Sequence, residues 1–254
     1  MRRAQFLLPE WQWRPGVRVL SSQRQGGVSA APWESLNLGA HVGDAREAVE
    51  ANRRRVREAG GLPTEPHWLE QVHGNDVADL DAGTVTGRAD AAISAVPGRV
   101  CVVMTADCLP VVLASADGAV VGVAHAGWRG LAAGVIEATA HAMRTKVPPA
   151  APLQAWLAPA IGPAHFEVGD EVRDAFVAVD AAAARAFARN AKARWQCDLY
   201  ALARQRLQRA GVHAISGGGH CTYAEEDAFF SHRRDVQHRG LAGTGRMATF
   251  IWRT

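Results

Sequence analysis

Cysteine is scarce in this chain. Cys101, Cys108, Cys197 and Cys221 are the four among 254 residues, and no two stand in a Cys-x-x-Cys pair. That spacing argues against a structural zinc ribbon, and a chain of this length can build a core without disulfide staples, so reduced thiols are expected. Charge of one sign is also lacking: 28 basic against 25 acidic residues leave +3, with short runs at Arg53-Arg54-Arg55 and Arg233-Arg234. So weak a field argues against nucleic acid as the partner, while leaving room for a local anion such as phosphate. Long apolar runs are missing too. Even Val111 to Val123 is interrupted by Ser115, Asp117 and Gly118, far short of the roughly 18 to 20 apolar residues of a membrane helix. At the start, Met1 to Glu10 joins two arginines to an apolar stretch cut off by Pro9 and Glu10, which fits no secretory signal. A soluble, cytoplasmic protein acting on a small molecule is expected, with no membrane, nucleic-acid or obligate protein partner.

No internal repeat or low-complexity linker divides the chain, so residues 1–254 are expected to form a single domain. The 48% hydrophobic and 21% charged fractions are those of a globular protein. Val100 to Thr105, Pro110 to Ala114 and Ala119 to Ala124 are valine-rich runs of strand length bounded by Gly, Asp or Pro. Ser115-Ala116-Asp117-Gly118 supplies a tight turn, which predicts an antiparallel hairpin from the second and third of these runs. Trp68 to Val72 reads as a further brief strand. Helices are predicted over Asp44 to Ala59, ended by Gly60-Gly61, and over Leu131 to Lys146, Gly169 to Val179, Asp180 to Ala193 and Asp198 to Ala210. Strands and helices without strict alternation indicate an α+β fold with mixed sheets flanked by helices.

Three residues at strand ends carry the chemistry. Cys108 lies where one strand stops and the next begins, in Thr105-Ala106-Asp107-Cys108-Leu109-Pro110. His125 ends the third strand, and the hairpin brings it to the same open end as Cys108, where the two can face each other across the ladder. His73 ends the brief strand before Gly74. Two imidazoles and a thiolate match a zinc site with three protein ligands and an open fourth position, as in catalytic rather than structural zinc. The separations of 35 and 17 residues match no short metal motif. A metal-free enzyme with Cys108 as nucleophile and His125 as its base is the competing reading, and His73 separates the two, since a thiol hydrolase has no necessary use for it.

Further motifs extend this pattern. They run from Gly26-Gly27-Val28-Ser29, Ser35-Leu36-Asn37-Leu38-Gly39 and His41-Val42-Gly43-Asp44 through Gln71-Val72-His73-Gly74 and Ala89-Asp90-Ala91. They continue with Ala124-His125-Ala126-Gly127-Trp128-Arg129-Gly130, Ile161-Gly162-Pro163, Phe166-Glu167-Val168-Gly169, Asp198-Leu199 and Thr244-Gly245-Arg246. In this order, spanning almost the whole chain, they resemble the YfiH/YlmD family, also called the laccase-domain or multicopper polyphenol oxidase family and described as purine nucleoside phosphorylases and as a peptidoglycan editing factor. The resemblance implies an α/β/β/α domain and a metal, usually zinc, on the residues matching His73, Cys108 and His125. It also implies phosphorolysis of adenosine, inosine and methylthioadenosine, with adenosine deamination at the same site. Copper is the lesser expectation, because three ligands around one metal do not make the several copper centres that four-electron oxygen reduction needs. Two segments depart from the family pattern: Ala164-His165 replaces paired cysteines after Gly-Pro, and Val236 to Gly243 lengthens the connection before Thr244.

Phosphorolysis requires cations for phosphate, and Arg53, Arg129 and Arg246 are the candidates. For deamination, Asp107 is the candidate proton carrier, and Asn37 and His41 are candidate substrate contacts. The alternatives are a Cys-His hydrolase, similar to the cytotoxic necrotising factor deamidases whose fold the family resembles, and an editing role on cell-wall precursors.

Overall fold

The computed structural model describes residues 4–9, 16–83, 87–148 and 151–254. Much of the amino-terminal stretch read for a signal, Met1 to Arg3 and Glu10, lies outside these residues. Among the described residues, Phe6–Leu7, Val17–Ser22, Met247–Arg253 and Val100–Thr105 form one antiparallel sheet in that spatial order. A second, six-stranded sheet has the order Ala214–Gly217, Leu153–Leu157, Leu109–Ser115, Val121–Ala126, Ala91–Ser94, Val77–Asp79, antiparallel in its middle and parallel at both edges.

The two sheets pack face to face between helices, because both faces of their strands are apolar. Along Leu109–Ser115, Val111 and Leu113 point to the helices while Val112 and Ala114 point to the other sheet, the period of two expected of a strand. The inner layer joins Val19, Val103 and Ile251 of the first sheet to Val112, Val121 and Val123 of the second. Outside the second sheet, Leu131, Ile136, Met143, Leu202 and Leu207 come from helices Trp128–Ala133, Val135–Arg144 and Leu199–Arg209. Outside the first, Val56 of helix Arg46–Gly60 covers Leu20, Val102 and Phe250. This is the α/β/β/α sandwich anticipated above. The continuous apolar runs are explained by burial on both sides. No helix among the described residues is long and apolar enough to cross a membrane.

Local chemistry sets the helix ends. Helix Arg46–Gly60 carries Glu47 in its first turn and Arg57 in its last, and closes on Gly61 at φ 63°, whose N–H reaches the carbonyls of Arg57 and Glu58. Asp198 caps Leu199–Arg209 by accepting the Ala201 N–H. The helix expected over Leu131 to Lys146 instead starts at Trp128 and is divided by Gly134 at φ 91°, which ends Trp128–Ala133 and begins Val135–Arg144. The alanine-rich Asp180 to Ala193 is not one α-helix either. A 3₁₀ turn, Ala181–Ala186, gives way to Phe187–Arg189, which pairs with Trp195–Cys197. Phe187 and Cys197 are buried in the helix-side core, and that packing outweighs the modest intrinsic preference of alanine. Trp68 to Val72 makes a single bridge, Glu70 to Arg88, rather than a strand, since the Val72 N–H is taken by a carboxylate.

Leu113 is fully buried against the helices, so Leu113→Ala is expected to lower the unfolding free energy by about 2 to 5 kcal/mol through the cavity it leaves. Urea denaturation monitored by circular dichroism measures this.

Candidate metal centre

The predicted hairpin is present, with Pro110 opposite His125 and Leu109 opposite Ala126. Cys108 stands one residue beyond the last pair, so it is displaced from His125 along the ladder rather than directly across from it. Asp107, at φ 89°, bends the chain just before Cys108 as it passes from one sheet to the other. His73, also left-handed at φ 62°, sits in a turn that folds over the same end. Backbones of this kind are uncommon outside glycine and persist where their surroundings hold them.

The surroundings of His73 and His125 centre on Asp90. Its carboxylate accepts the backbone N–H groups of Val72 (3.1 Å), His73 (2.9 Å) and Gly74 (2.7 Å), and His125 Nδ1 donates to it at 2.7 Å. The His125 backbone N–H meets the Asp90 carbonyl at 2.7 Å. Asp90 has no exposed surface. Burial acts to raise its pKa, but the bonds from His125, Gly74 and Val72 outweigh that and hold it below the usual carboxylate value. A carboxylate on Nδ1 turns Nε2 of His125 toward the other two donors, the orienting contact that metal-bound histidines commonly have.

Donor atoms of His73, Cys108 and His125 all lie within 4.8 Å of one another, with Cys108 Sγ 4.0 Å from His73 Nε2. In a tetrahedral zinc site, metal–sulfur and metal–nitrogen bonds of about 2.3 and 2.0 to 2.1 Å place donors about 3.3 to 3.6 Å apart. The cluster is a slightly expanded version of that geometry, so one thiolate and two imidazoles fit the metal. Glycine makes the room: a Cβ on Gly127 would lie 2.9 Å from Cys108 Sγ and 3.1 Å from the His73 ring, and one on Gly130 would lie 2.7 Å from the Gly74 carbonyl.

Electrostatics also favours an ionised sulfur. Burial alone would push the Cys108 thiol up and the His125 imidazole down. Their mutual attraction, with His73 beside the sulfur and Asp90 behind the imidazole, reverses both, to about 6 for Cys108 and about 9 for His125.

A cavity of about 390 Å³ opens over these donors. Asp107, His41, Arg129 and Arg246 line it, and Trp128, Ile161 and Phe166 supply apolar wall. Asn37 does not reach it. It is fully buried, its Nδ2 donating to the Gly39 carbonyl and the Asp44 carboxylate and its Oδ1 accepting the N–H groups of Gly39 and Arg246. The expectation of a substrate contact is corrected: Asn37 anchors the backbone that carries Arg246. Arg53 is also outside the lining. Its Nε and Nη2 donate to the Leu38 carbonyl and its guanidinium lies 3.8 Å over the Trp68 ring, so it braces the wall instead of facing a ligand. The Asp107 carboxylate accepts Thr222 Oγ1–H and the Arg233 N–H, both at 2.7 Å.

Sequence reading overlooked Asp90 as an orienting group, together with His232, Arg233 and Gln237 in the cavity wall. The signal for Asp90 was a lone acid entering the apolar strand Ala91–Ser94; a buried charge there demands a partner. Arg233 and Gln237 lie on a π-helical turn, Arg233–His238, whose second half, with Gln237, falls in the segment that departs from the family pattern. That turn is anchored by a buried pair: Arg234 Nε donates to Asp235 at 2.8 Å and its Nη atoms donate to the carbonyls of Thr222 and Phe229, while Thr244 Oγ1–H donates to Asp235. His41 and His232 stand at the solvent-exposed part of the cavity wall, and partial desolvation followed by the charge of Arg246 lowers both pKa values.

The family described as multi-copper polyphenol oxidoreductase laccase matches residues 18–254. An Escherichia coli K12 protein named purine nucleoside phosphorylase YfiH is 52% identical over 98% of this chain and 99% of its own. A Pseudomonas aeruginosa protein also named as a purine nucleoside phosphorylase is 50% identical over 97% and 98%. The crystal structure of Neisseria meningitidis protein NMB0706 superposes with a TM-score of 0.88 at 46% identity over 98% of both chains. That of YlmD from Geobacillus stearothermophilus superposes at 0.83 with 30% identity, again over 98% of both chains.

Two substitutions test the centre. Gly127→Ala is expected to keep the fold, since its backbone is extended at φ −62°, yet to abolish stoichiometric metal binding, read by metal analysis beside an unchanged circular dichroism spectrum. Asp90→Asn is expected to weaken metal binding about 10- to 100-fold by loosening His125 and the His73 turn, read by chelator competition.

Proposed function

As a member of the family described as multi-copper polyphenol oxidoreductase laccase, with relatives named purine nucleoside phosphorylase, this chain is, we propose, a zinc-dependent purine nucleoside enzyme. Its reactions are phosphorolysis of adenosine, inosine and methylthioadenosine, and deamination of adenosine at the same site. The observation that carries this reading is the three-donor cluster at the base of a cavity with arginines and an aromatic, apolar wall. A volume of about 390 Å³ suits a small ligand, and clefts of this kind commonly combine apolar walls with a few convergent polar groups.

Each part of the cavity takes one part of the reaction. Trp128, Phe166 and Ile161 hold the flat purine. Arg129, Arg233 and Arg246 hold phosphate, whose oxygens match the planar fork of a guanidinium. Arg129 stacks 4.5 Å over the Trp128 ring, and Arg246 is steadied by its bonds to the carbonyls of Thr244 and Gly245. Zinc on His73, Cys108 and His125, when bound, supplies a Lewis acid that brings water's pKa toward neutrality. The Asp107 carboxylate, engaged by Thr222 and Arg233, acts as a positioning group, and proton transfer falls to the imidazoles of His41 and His232 in the cavity wall. A single three-donor cluster among the described residues supports one metal rather than the several coppers of oxygen reduction.

One observation favours a second reading. Cys108, His125 and Asp90 form a thiol–imidazole–carboxylate chain in which the thiol is already acidified to about 6, the arrangement of a cysteine hydrolase. His73 distinguishes the two readings. Metal-analysed protein incubated with adenosine is expected to yield adenine only when phosphate is present, together with inosine in either condition. The absence of both products would sink the nucleoside reading. His73→Ala is expected to lose zinc and to reduce kcat/KM at least about 100-fold, roughly 2.7 kcal/mol of transition-state stabilisation; full activity without metal would assign the chemistry to the cysteine.

A further inference from the structure

A second cavity of about 390 Å³ adjoins the first, and Arg233 and Gln237 line both. Its walls come from two elements. The connection between Phe187–Arg189 and Trp195–Cys197 is folded by Asn190, whose Oδ1 accepts the N–H groups of Lys192 and Arg194, and it presents both of those side chains to the cavity. Opposite, the π-helical turn contributes Arg233, Gln237 and His238. Tyr223 completes a flat wall: its ring stacks on His165 at 4.4 Å and 16°, and its hydroxyl lies 2.9 Å from His238 Nδ1.

The charge of this cavity is one-sided. Lys192, Arg194 and Arg233 stand against a single carboxylate, Glu167, a balance of +2 before either histidine is counted. Glu167 accepts a bond from Asn190 at 2.8 Å and forms longer ion pairs with Lys192 Nζ at 3.5 Å and Arg194 Nε at 3.7 Å, but one carboxylate cannot neutralise three cations. Arg233 is fixed at the junction, donating to the Glu167 carbonyl at 2.8 Å and lying 5.3 Å over the Phe166 ring. Ammonium, guanidinium and ring N–H donors around one space are the complement of a dianion with several acceptor oxygens. Apart from Ala164 and the Tyr223 ring, every residue lining this cavity is polar or charged.

We propose that the second cavity binds a phosphoryl group, and that purine nucleoside 5′-phosphates lie across both cavities, with the base in the first and the phosphate between Arg233, Lys192 and Arg194. The base placement rests on the nucleoside reading of the first cavity; the anion site does not. Inorganic phosphate has the same chemistry and is the other source of the group. The test is isothermal titration of the zinc-loaded full chain and of its Lys192→Ala/Arg194→Ala variant with adenosine, ADP and inorganic phosphate at low ionic strength, where surface charges are least screened. Lys192 and Arg194 are largely exposed, so the variant should fold normally.

ADP is expected to bind the parent at least about tenfold more tightly than adenosine, and the double substitution is expected to erase that difference while leaving adenosine affinity within about twofold. If inorganic phosphate alone loses affinity in the variant, the cavity is still an anion site and its occupant is the free ion. Affinities for ADP and phosphate that both stay within about twofold between the two proteins overturn the proposal. If adenosine fails to bind either protein, the nucleoside reading fails, and the ADP and phosphate comparisons still decide the anion site.

Discussion

The Asp90 carboxylate is the constraint on which the centre depends. Buried completely, it can remain charged only because Val72, His73, Gly74 and His125 all give it hydrogen bonds. Those same bonds fix the turn that carries one donor and the ring that is another. A side chain buried without such partners would cost several kcal/mol, so the turn and the histidine are held together by the need to satisfy one charge. Left-handed backbone at His73 is tolerated for the same reason, because three successive N–H groups converge on a single acceptor.

Around this point the sandwich provides rigidity. Both sheets are covered on both faces, and the hairpin that brings Cys108 and His125 to one end lies in the middle of the six-stranded sheet. Small residues fill the gap beyond it. Gly127 leaves space for the sulfur and both imidazoles, and Gly130 lets the Gly74 backbone approach. Donors carried on central strands and on a turn bonded to them need little reorganisation to bind a metal.

Over the donors, charge is distributed by the loops. Arg129 follows the hairpin, Arg246 is tied to the loop that contains Asn37, and Arg233 is presented by a π-helical turn whose Arg234–Asp235 pair is buried beneath it. Short π-helical turns are often found at functional sites, where they aim side chains that an α-helix would direct elsewhere. Asp107 links the two parts: it neighbours Cys108 in the chain and holds the Arg233 backbone through its carboxylate. Ala164, His165, Gln237 and His238, from the two segments that depart from the family pattern, all border the second cavity.

By itself the sequence determined the features that depend on local pattern. Uninterrupted valine-rich runs specify strands buried on both faces, Ser115 to Gly118 specifies the hairpin, and from that hairpin two of the three donors follow directly. Tertiary structure decided what depends on partners distant in the chain. Asp90 was visible only as an acid beside apolar residues, since the N–H groups that satisfy it arrive from a turn sixteen to eighteen residues earlier. Asn37 and Arg53 resembled ligand contacts because amide and guanidinium groups serve structure and recognition with the same hydrogen bonds; only the positions of Arg246, Leu38 and Trp68 show that both are already occupied. The alanine-rich segment had the composition of a helix, but burial of Phe187 and Cys197 made it a turn and a strand, because alanine's preference is a fraction of what burying those side chains contributes.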